Sequence, residues 1–293
     1  MDRTKEGLIE RIRKTFKSPL QEHLVSQIKL AIRIQLVEGI EKDSKTKIGG
    51  VPWIKEGESW PRSEHTGKPL LFLLQFELEK LNQIDIGLEI PTEGIVSFYF
   101  DSDDWEGGLV KYYALGERFI KAEIPEEYYK EESRKKMPIW KRIWIKQESF
   151  RVFDQHGLEF CTEYQVPSYD SIQVRLFELK SGKRVYDYLT YDTALEENFL
   201  SEQSGNHHLF GYYLGDQEST YELYALSDSK NGYKDYSKNS FEEASNWRVL
   251  LKLGSDPKTQ MNWIDAGNLL FFIKSDDLQS WNLGNIRSYL DTT

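Results

Sequence analysis

The feature of this sequence that most restricts its fold is a pattern that occurs twice along the chain. LLFLLQFEL at residues 70–78 and GIVSFYFDSDD at residues 94–104 form the first copy. WRVLLKL at residues 247–253 and GNLLFFIKSDD at residues 267–277 form the second. Short apolar runs rich in aromatic and β-branched residues are typical of buried strands. The pattern therefore predicts two similar pairs of strands, each ending in Ser-Asp-Asp.

We interpret the two copies as an internal duplication. The halves cover about residues 31–130 and 205–293, and residues 131–204 join them. The alternative interpretation is chance, because β-rich proteins reuse patterns of Gly, apolar residues and Asp. Two similar β units that pack together leave a groove between them, and grooves of this kind are favoured ligand sites.

The rest of the chain predicts an α+β fold, predominantly antiparallel β, with N-terminal helices. Residues 4–30 have apolar residues at helical spacing, interrupted at Pro19, and Ser18 is the expected cap of a second helix. We divide the chain into this helical segment, residues 1–30, and one domain, residues 31–293.

Segments between the two copies add further predictions. Alternation from Ala31 to Val37 predicts a strand, and so do short alternating segments such as SIQVRLFEL at residues 171–179. Residues 41–70 are rich in Gly, Pro, Ser and Lys and are expected to form a loop with a binding surface. Residues 194–206 are polar and acidic, which predicts a helix or linker.

Composition restricts the class of protein. Hydrophobic residues make up 39% and aromatic residues 14% of the chain, which is enough for a packed core. The net charge of −10 argues against general nucleic-acid binding. The single cysteine excludes an internal disulfide, no apolar run reaches membrane-spanning length, and residues 1–16 show no signal-peptide core. We therefore expect a soluble, cytoplasmic protein that binds neither nucleic acid nor membranes.

Carboxylates at the ends of the predicted strands are the first candidates for chemistry. Asp101 and Asp103 alternate after a strand and could bind a hard cation, although a solvated turn is the simpler interpretation. Asp276 occupies the matching place in the second copy, and facing carboxylates could perform acid–base chemistry. Asp265 and Asp256 are typical of turns in which the Asp side chain accepts from the nearby backbone.

Other motifs point away from metal and cofactor chemistry. His207 and His208 are adjacent, so on a strand they point apart and rarely share a metal ion. Cys161 has apolar neighbours and is expected to be a buried, inert thiol. The basic, aromatic residues 134–147 could contact phosphates and bases, but their alternation is also that of a half-buried strand. No phosphate-binding or dinucleotide-binding motif is present, and we expect no metal and no cofactor.

The ordered combination of several segments resembles a known family. These segments are KIGGVPW, Trp60-Pro61, LLFLLQFEL, PTEGIVSFYFD, HHLFGYYLGDQ, WRVLLKLGSD and MNWIDAGNLLFFIKSDDL. Together they resemble the YwqG-like family of uncharacterised bacterial proteins, a domain of unknown function, from about residue 30 to residue 290.

The resemblance implies a bacterial, cytoplasmic protein with no established activity, cofactor or catalytic residues. It also implies kinship with candidate immunity proteins encoded beside secreted toxins. The family's second repeat often has Gln before its Asp, in a Leu-Gln-Ile-Asp pattern. Here residues 252–255 precede Asp256 without a Gln, whereas Gln75 remains in the first copy.

The function expected from these observations is that of a non-enzymatic binding or protein-interaction module. The alternatives are a hydrolase-type enzyme that uses carboxylates in a groove between the repeats, and a toxin-immunity protein whose acidic charge steers a basic partner. The ligand is unknown, and another protein is a candidate partner. The candidate groove residues are Trp60, Gln75, Asp101, Asp103, His208, Gln217, Asp265 and Asp276.

Overall fold

The computed structural model describes residues 4–41, 43–82, 84–85, 87–104, 107–138, 141, 150–168, 171–188, 207–213, 238–264 and 266–291. These residues form an α+β fold dominated by antiparallel sheet, which confirms the predicted class. Three predictions fall outside this part of the chain: the helix or linker at residues 194–206, most of the basic patch, and the candidates Gln217 and Asp265.

The α-helices among the described residues are α1 (Lys5–Thr15), α2 (Leu20–Ser26), α3 (Glu126–Lys135), α4 (Ile172–Ser181), α5 (Lys238–Ala244) and α6 (Ser275–Gln279), with short 3-10 turns at Leu78–Leu81 and Val185–Tyr188. The predicted N-terminal helices are present. The prediction that Ser18 caps α2 is wrong, because Pro19 is the N-cap and the Ser18 hydroxyl donates to Glu22 Oε1 at 2.7 Å. Among the described helices, none is long and apolar enough to cross a membrane.

The strands are β1 (Lys29–Val37), β2 (Lys47–Ile48), β3 (Trp53–Lys55), β4 (Leu71–Glu77), β5 (Ile95–Phe100), β6 (Gly108–Tyr113), β7 (Phe119–Lys121), β8 (His156–Gln165), β9 (His207–Phe210), β10 (Trp247–Gly254), β11 (Asn268–Lys274) and β12 (Ile286–Asp291). Ten of them form one sheet in the order β12-β11-β10-β9-β1-β8-β2-β4-β5-β6, and β3 pairs with β7 in a separate ribbon. The strands predicted from the two sequence copies are β4, β5, β10 and β11, and all four are confirmed.

Two local predictions are wrong. Residues 171–179, predicted as a strand from their alternation, lie in α4, where Ser171 caps the first turn and Gly182 ends the helix at φ 69°. Residues 41–70, predicted as a loop, contain β2 and β3, and β2 joins the sheet between β8 and β4. A two-residue strand is too short to leave a periodic signal in the sequence.

The ten-stranded sheet curls until its two edge strands approach each other. Cα atoms of β6 and β12 come within 8 Å. At Gly108 in β6, an added Cβ would lie 2.6 Å from Ser288 Cβ of β12 and 2.7 Å from the Phe271 ring. Across the interior, the rings of Phe98 and Phe271 are in edge contact with centroids 5.3 Å apart. We call this arrangement the rolled sheet; its concave side holds most of the main apolar core.

Two further apolar clusters cover the convex side of the rolled sheet. Helices α1 and α2 pack through residues such as Ile12 and Leu20 against Val166, which follows β8. Residues of α4, α5 and the segment after β9 pack on β10 and β11 through a cluster that includes Phe241 and Phe272. Strands β4, β5, β10 and β11 are buried on both faces, which explains why these four strands are almost continuously apolar.

The sheet order divides into two sets of five strands that meet at the antiparallel pair β1–β8. The first strand set is β8-β2-β4-β5-β6, and the second strand set is β1-β9-β10-β11-β12. Each set has one register shift, between Phe72 and Leu74 in the first and between Val249 and Leu251 in the second. The shift lies in β4, the neighbour of β2, in the first set. It lies in β10, the neighbour of β9, in the second set, so the two shifts occupy equivalent strands.

Candidate functional site

The first predicted acids, Asp101 and Asp103, lie in the turn that joins β5 to β6. Asp101 is buried, and its Oδ1 accepts from the Asp103 backbone N–H at 2.9 Å. The Asp103 carboxylate forms an ion pair with Lys68 at 2.5 Å. This arrangement matches the turn interpretation, because Asp101 satisfies the backbone of its own turn.

The third described acid, Asp276, does not meet the other two. It is exposed in the first turn of α6, directly after β11. In the sheet order β11 is second and β5 is ninth, so these strands run in opposite directions and their carboxyl ends lie at opposite ends of the rolled sheet. The expected meeting of carboxylates from the two copies is therefore not formed by Asp101, Asp103 and Asp276.

Asp256 confirms its predicted turn. Its Oδ1 accepts from the Lys258 backbone N–H at 2.8 Å, and its Oδ2 lies 3.3 Å from His207 Nε2. Among the described residues, no group of three or more His, Cys, Asp or Glu side chains is arranged to hold a metal ion. Cys161 is half-buried rather than fully buried, and its thiol donates to Gln35 Oε1 at 3.2 Å.

Trp60 and Gln75 attach the segment before β4 to the first strand set. The indole N–H of Trp60 donates to the Leu70 carbonyl at 2.8 Å, and its ring packs edge-on against Phe150. Gln75 is fully buried, and its Oε1 accepts from the Trp53 backbone N–H at 2.7 Å. These contacts give both candidates a clear role in packing.

His208 is also fully buried, and it supports the backbone of the same strand. Its Nδ1 lies 2.8 Å from the Phe210 carbonyl oxygen, so Nδ1–H is the donor. Burial, assisted by the charge of Lys252, lowers the pKa of His208 to about 3. The ring is therefore neutral at physiological pH, and it positions Phe210.

A cavity of about 220 Å³ opens beside Phe210, at the end of the rolled sheet where β1 and β10 begin and β9 ends. Strands β1, β9 and β10, the segment before β5, and α6 contribute its walls. The lining residues are Lys29, Leu30, Gly87, Leu88, Phe210, Gly211, Arg248, Val249 and Leu278. We call this the end cavity.

The backbone at the end of β9 gives the end cavity a fixed wall. Phe210 and Gly211 both have positive φ, at 59° and 78°. This conformation is unfavourable for a bulky residue such as Phe and persists only where the surrounding structure imposes it. An added Cβ at Gly211 would lie 2.3 Å from Gln165 Oε1 and 2.7 Å from Ala31 Cβ, so the chain passes here in close contact.

The polar residues of the end cavity are cationic. Arg248 is exposed, and its Nε donates to the Ser275 hydroxyl at 2.9 Å. Lys29 Nζ lies 4.3 Å from the centre of the Tyr212 ring. None of the nine lining residues is acidic. The cavity therefore combines an apolar interior with two positive side chains, and this combination suits an anion with an apolar body.

At the opposite end of the rolled sheet, a buried aromatic side chain lies just before β11. Trp263 precedes β11 and is buried, with its ring in edge contact with Phe100 and Phe153. Gly87 and Leu88 precede β5, the matching strand of the first set, and line the end cavity. The segment before β11 thus contributes a buried indole at one end, whereas the segment before β5 lines a cavity at the other end.

Sequence reasoning found His208 near this site but missed the residues that line the end cavity. The Gly-aromatic segment after β9 was recognisable, and Gly211 within it is a lining residue. Lys29 and Arg248 gave no comparable signal, because a charged residue at the start of an apolar strand is common on protein surfaces.

Comparison with known proteins gives a family but no activity. None of the curated proteins matches this chain. The model of a family described as a domain of unknown function, DUF1963, matches residues 46–291, which include all strands from β2 to β12. The chain therefore belongs to the DUF1963 family.

Proposed function

We propose that this protein is a non-enzymatic binding protein that takes up a small ligand in the end cavity. The observation that carries the proposal is a preformed cavity of about 220 Å³ with a rigid wall at Phe210 and Gly211. Strained backbone of this kind is often found at binding sites, and His208 holds it through the Phe210 carbonyl.

The contrast between the two ends of the rolled sheet supports this proposal. Filling a cavity with an apolar side chain is stabilising, and at the opposite end the segment before β11 buries the Trp263 indole. The segment before β5 instead lines the end cavity with Gly87 and Leu88. We infer that the open space is retained for a ligand.

We further propose that the two strand sets arose by internal duplication. The matched register shifts support this, and so do Lys47 and His208. In the strand register, Lys47 lies opposite Gln75 and His208 lies opposite Lys252. Gln75 and Lys252 each lie one residue beyond the end of the register shift in their strand. Lys47 and His208 each donate to a carbonyl oxygen just downstream in the chain, that of Val51 and that of Phe210 respectively.

The sequence resemblance additionally leads us to propose a YwqG-like protein of bacterial, cytoplasmic origin.

The hydrolase alternative has less support than binding. It needs carboxylates that meet in one groove, and Asp101 and Asp276 follow strands that end at opposite ends of the rolled sheet.

An immunity protein that covers a basic toxin remains compatible with the net charge of −10. In that case the binding surface is expected to lie outside the end cavity.

The proposal is tested by a ligand screen on two matched variants. Leu88→Trp places an indole at the end cavity, in imitation of Trp263. Leu115→Trp adds the same ring at a residue that is 69% exposed, in the turn between β6 and β7. Thermal unfolding of all three proteins is measured against a panel of organic anions, nucleotides, sugars and peptides.

We expect some compounds to stabilise the wild type and Leu115→Trp but not Leu88→Trp. A ligand at about 100 times its Kd adds about 2.7 kcal/mol to the free energy of unfolding, which is readily measured as a higher Tm. If every compound that binds also stabilises Leu88→Trp to the same extent, or if none binds, the end cavity is not the ligand site.

A further inference from the structure

We infer that the ligand of the end cavity is a small organic carboxylate with an apolar body, and that Arg248 binds its carboxylate. This inference rests on the proposed function and adds the chemical class of the ligand. It depends on three properties of the cavity: its charge, the orientation of Arg248, and its size.

The charge of the end cavity differs from that of the whole protein. The chain has a net charge of −10, yet the charged lining residues are Lys29 and Arg248 alone. Within the described part of the chain, Arg248 forms no ion pair, and its Nε donates to the Ser275 hydroxyl. An anionic ligand would therefore meet a cation that forms no ion pair with a described acid.

The contact with Ser275 orients Arg248. Arg248 Nε donates to Ser275 Oγ at 2.9 Å, and the Ser275 hydroxyl in turn donates to the Asn246 carbonyl at 2.9 Å. With Nε held in this way, the terminal nitrogens of the planar guanidinium remain for another acceptor. Paired N–H groups in one plane match the two oxygens of a carboxylate, which Lys does not reproduce.

The apolar walls and the volume restrict the body of the ligand. Leu30, Leu88, Val249 and Leu278 lie in the wall, together with the backbone of Phe210 and Gly211. An apolar protein cavity of about 150 Å³ is known to hold benzene. A cavity of about 220 Å³ is therefore large enough for one ring or a short aliphatic chain plus a carboxylate.

The experiment compares matched anionic and neutral probes on the full chain. The probes are benzoate and hexanoate, their neutral counterparts benzyl alcohol and hexanol, and inorganic phosphate. Binding is measured by titration calorimetry and by ligand-observed NMR at low and high salt. The variants are Arg248→Gln, Arg248→Lys, and the control Arg118→Gln, which removes an arginine that is 79% exposed and paired with Glu56.

We expect at least one carboxylate to bind the wild type and Arg118→Gln equally, and more weakly at high salt. Arg248→Gln is expected to lower the affinity about 10-fold or more, as is typical for loss of a charge-assisted hydrogen bond. Arg248→Lys keeps the charge but not the planar pair of donors, so it should restore affinity only in part. Unchanged Tm values of the unliganded variants show that folding is retained.

Several results would overturn the inference. They are binding of the alcohols as tight as that of the carboxylates, an Arg248→Gln variant that binds carboxylates like the wild type, and failure of both carboxylates to bind at millimolar concentrations. Preference for phosphate over both carboxylates would also reject the class of ligand. If Leu88→Trp still abolishes binding of a neutral compound, the proposed function stands and only the anionic class is wrong.

Discussion

At the scale of single residues, two buried glutamines of the rolled sheet hold the backbone of neighbouring segments. Gln75 accepts from the Trp53 N–H, and Gln165 Oε1 accepts from the Tyr212 N–H at 2.9 Å. Both contacts follow a pair of residues with positive φ, Gly49–Gly50 in one case and Phe210–Gly211 in the other. Gln75, a functional candidate in the sequence, thus holds the backbone that follows an unusual turn, as Gln165 does at the second turn.

The buried state of His208 predicts how stability depends on pH. Its pKa is about 3 in the folded protein and about 6.5 when unfolded. Between these values the unfolded chain binds a proton that the folded chain does not, so the free energy of unfolding falls as pH decreases below 6.5. The contribution of His208 alone is about 1.4 kcal/mol for each pH unit.

His208→Asn tests this prediction, since Asn can still donate to the Phe210 carbonyl but does not titrate. Urea unfolding at pH 7 and at pH 5 gives the difference in free energy of unfolding between the wild type and His208→Asn at each pH. We expect the wild type to lose stability relative to His208→Asn as the pH is lowered. The other histidines are present in both proteins, so their effects cancel in this comparison. A difference in free energy of unfolding that is the same at pH 7 and pH 5 would contradict a buried, neutral His208.

At the scale of elements, α4 shows why periodicity alone can mislead. Its residues 172–176 alternate between apolar and polar, which is typical of a strand. The Ser171 cap and Gly182 at the C-terminal end are helix signals that were also present in the sequence. Over five residues, a strand and a helix with two apolar faces give the same alternation of apolar and polar residues. Helix α4 has two apolar faces, because its residues belong to two different apolar clusters.

Removal of the α4 cap should weaken this element. The Ser171 side chain is buried and accepts from the Val174 N–H at 3.4 Å. We expect Ser171→Ala to lower the free energy of unfolding by about 1 kcal/mol, and Ser171→Gly by only a few tenths of a kcal/mol. Urea unfolding measures both. Equal losses for the two variants would indicate that packing of the Ser171 side chain, rather than capping, is what stabilises α4.

At the scale of the whole molecule, the approach of β6 and β12 determines the shape of the core. These strands come from different halves of the chain and lie at opposite edges of the sheet order. Gly108 permits the approach, because it leaves room for Ser288 and the Phe271 ring. The curl of the sheet places Phe98 of the first strand set against Phe271 of the second.

A double-mutant cycle tests this contact. Gly108→Ala would place Cβ 2.6 Å from Ser288 Cβ and should cost about 1–3 kcal/mol through overpacking. Ser288→Gly removes one of the atoms in the way, so the double variant should lose less stability than the sum of the two single variants. Strict additivity in chemical unfolding would show that the two edges do not touch at this point.

The sequence by itself determined the class of fold and its principal strands. Apolar, aromatic runs can be stable only when buried, and so β4, β5, β10 and β11 are found at the predicted residues. The turn at Asp256 was also predictable, because an Asp side chain acts on backbone two residues away. Such features depend on neighbours in the chain.

Tertiary structure alone decided the position of the end cavity and the separation of the candidate acids. The cavity joins residues as distant in sequence as Lys29, Leu88, Gly211 and Leu278. Their proximity depends on strand order and on the curl of the sheet, and neither is expressed in local periodicity. The same order sends β5 and β11 in opposite directions, and so it separates Asp101 from Asp276 although both follow the same sequence pattern.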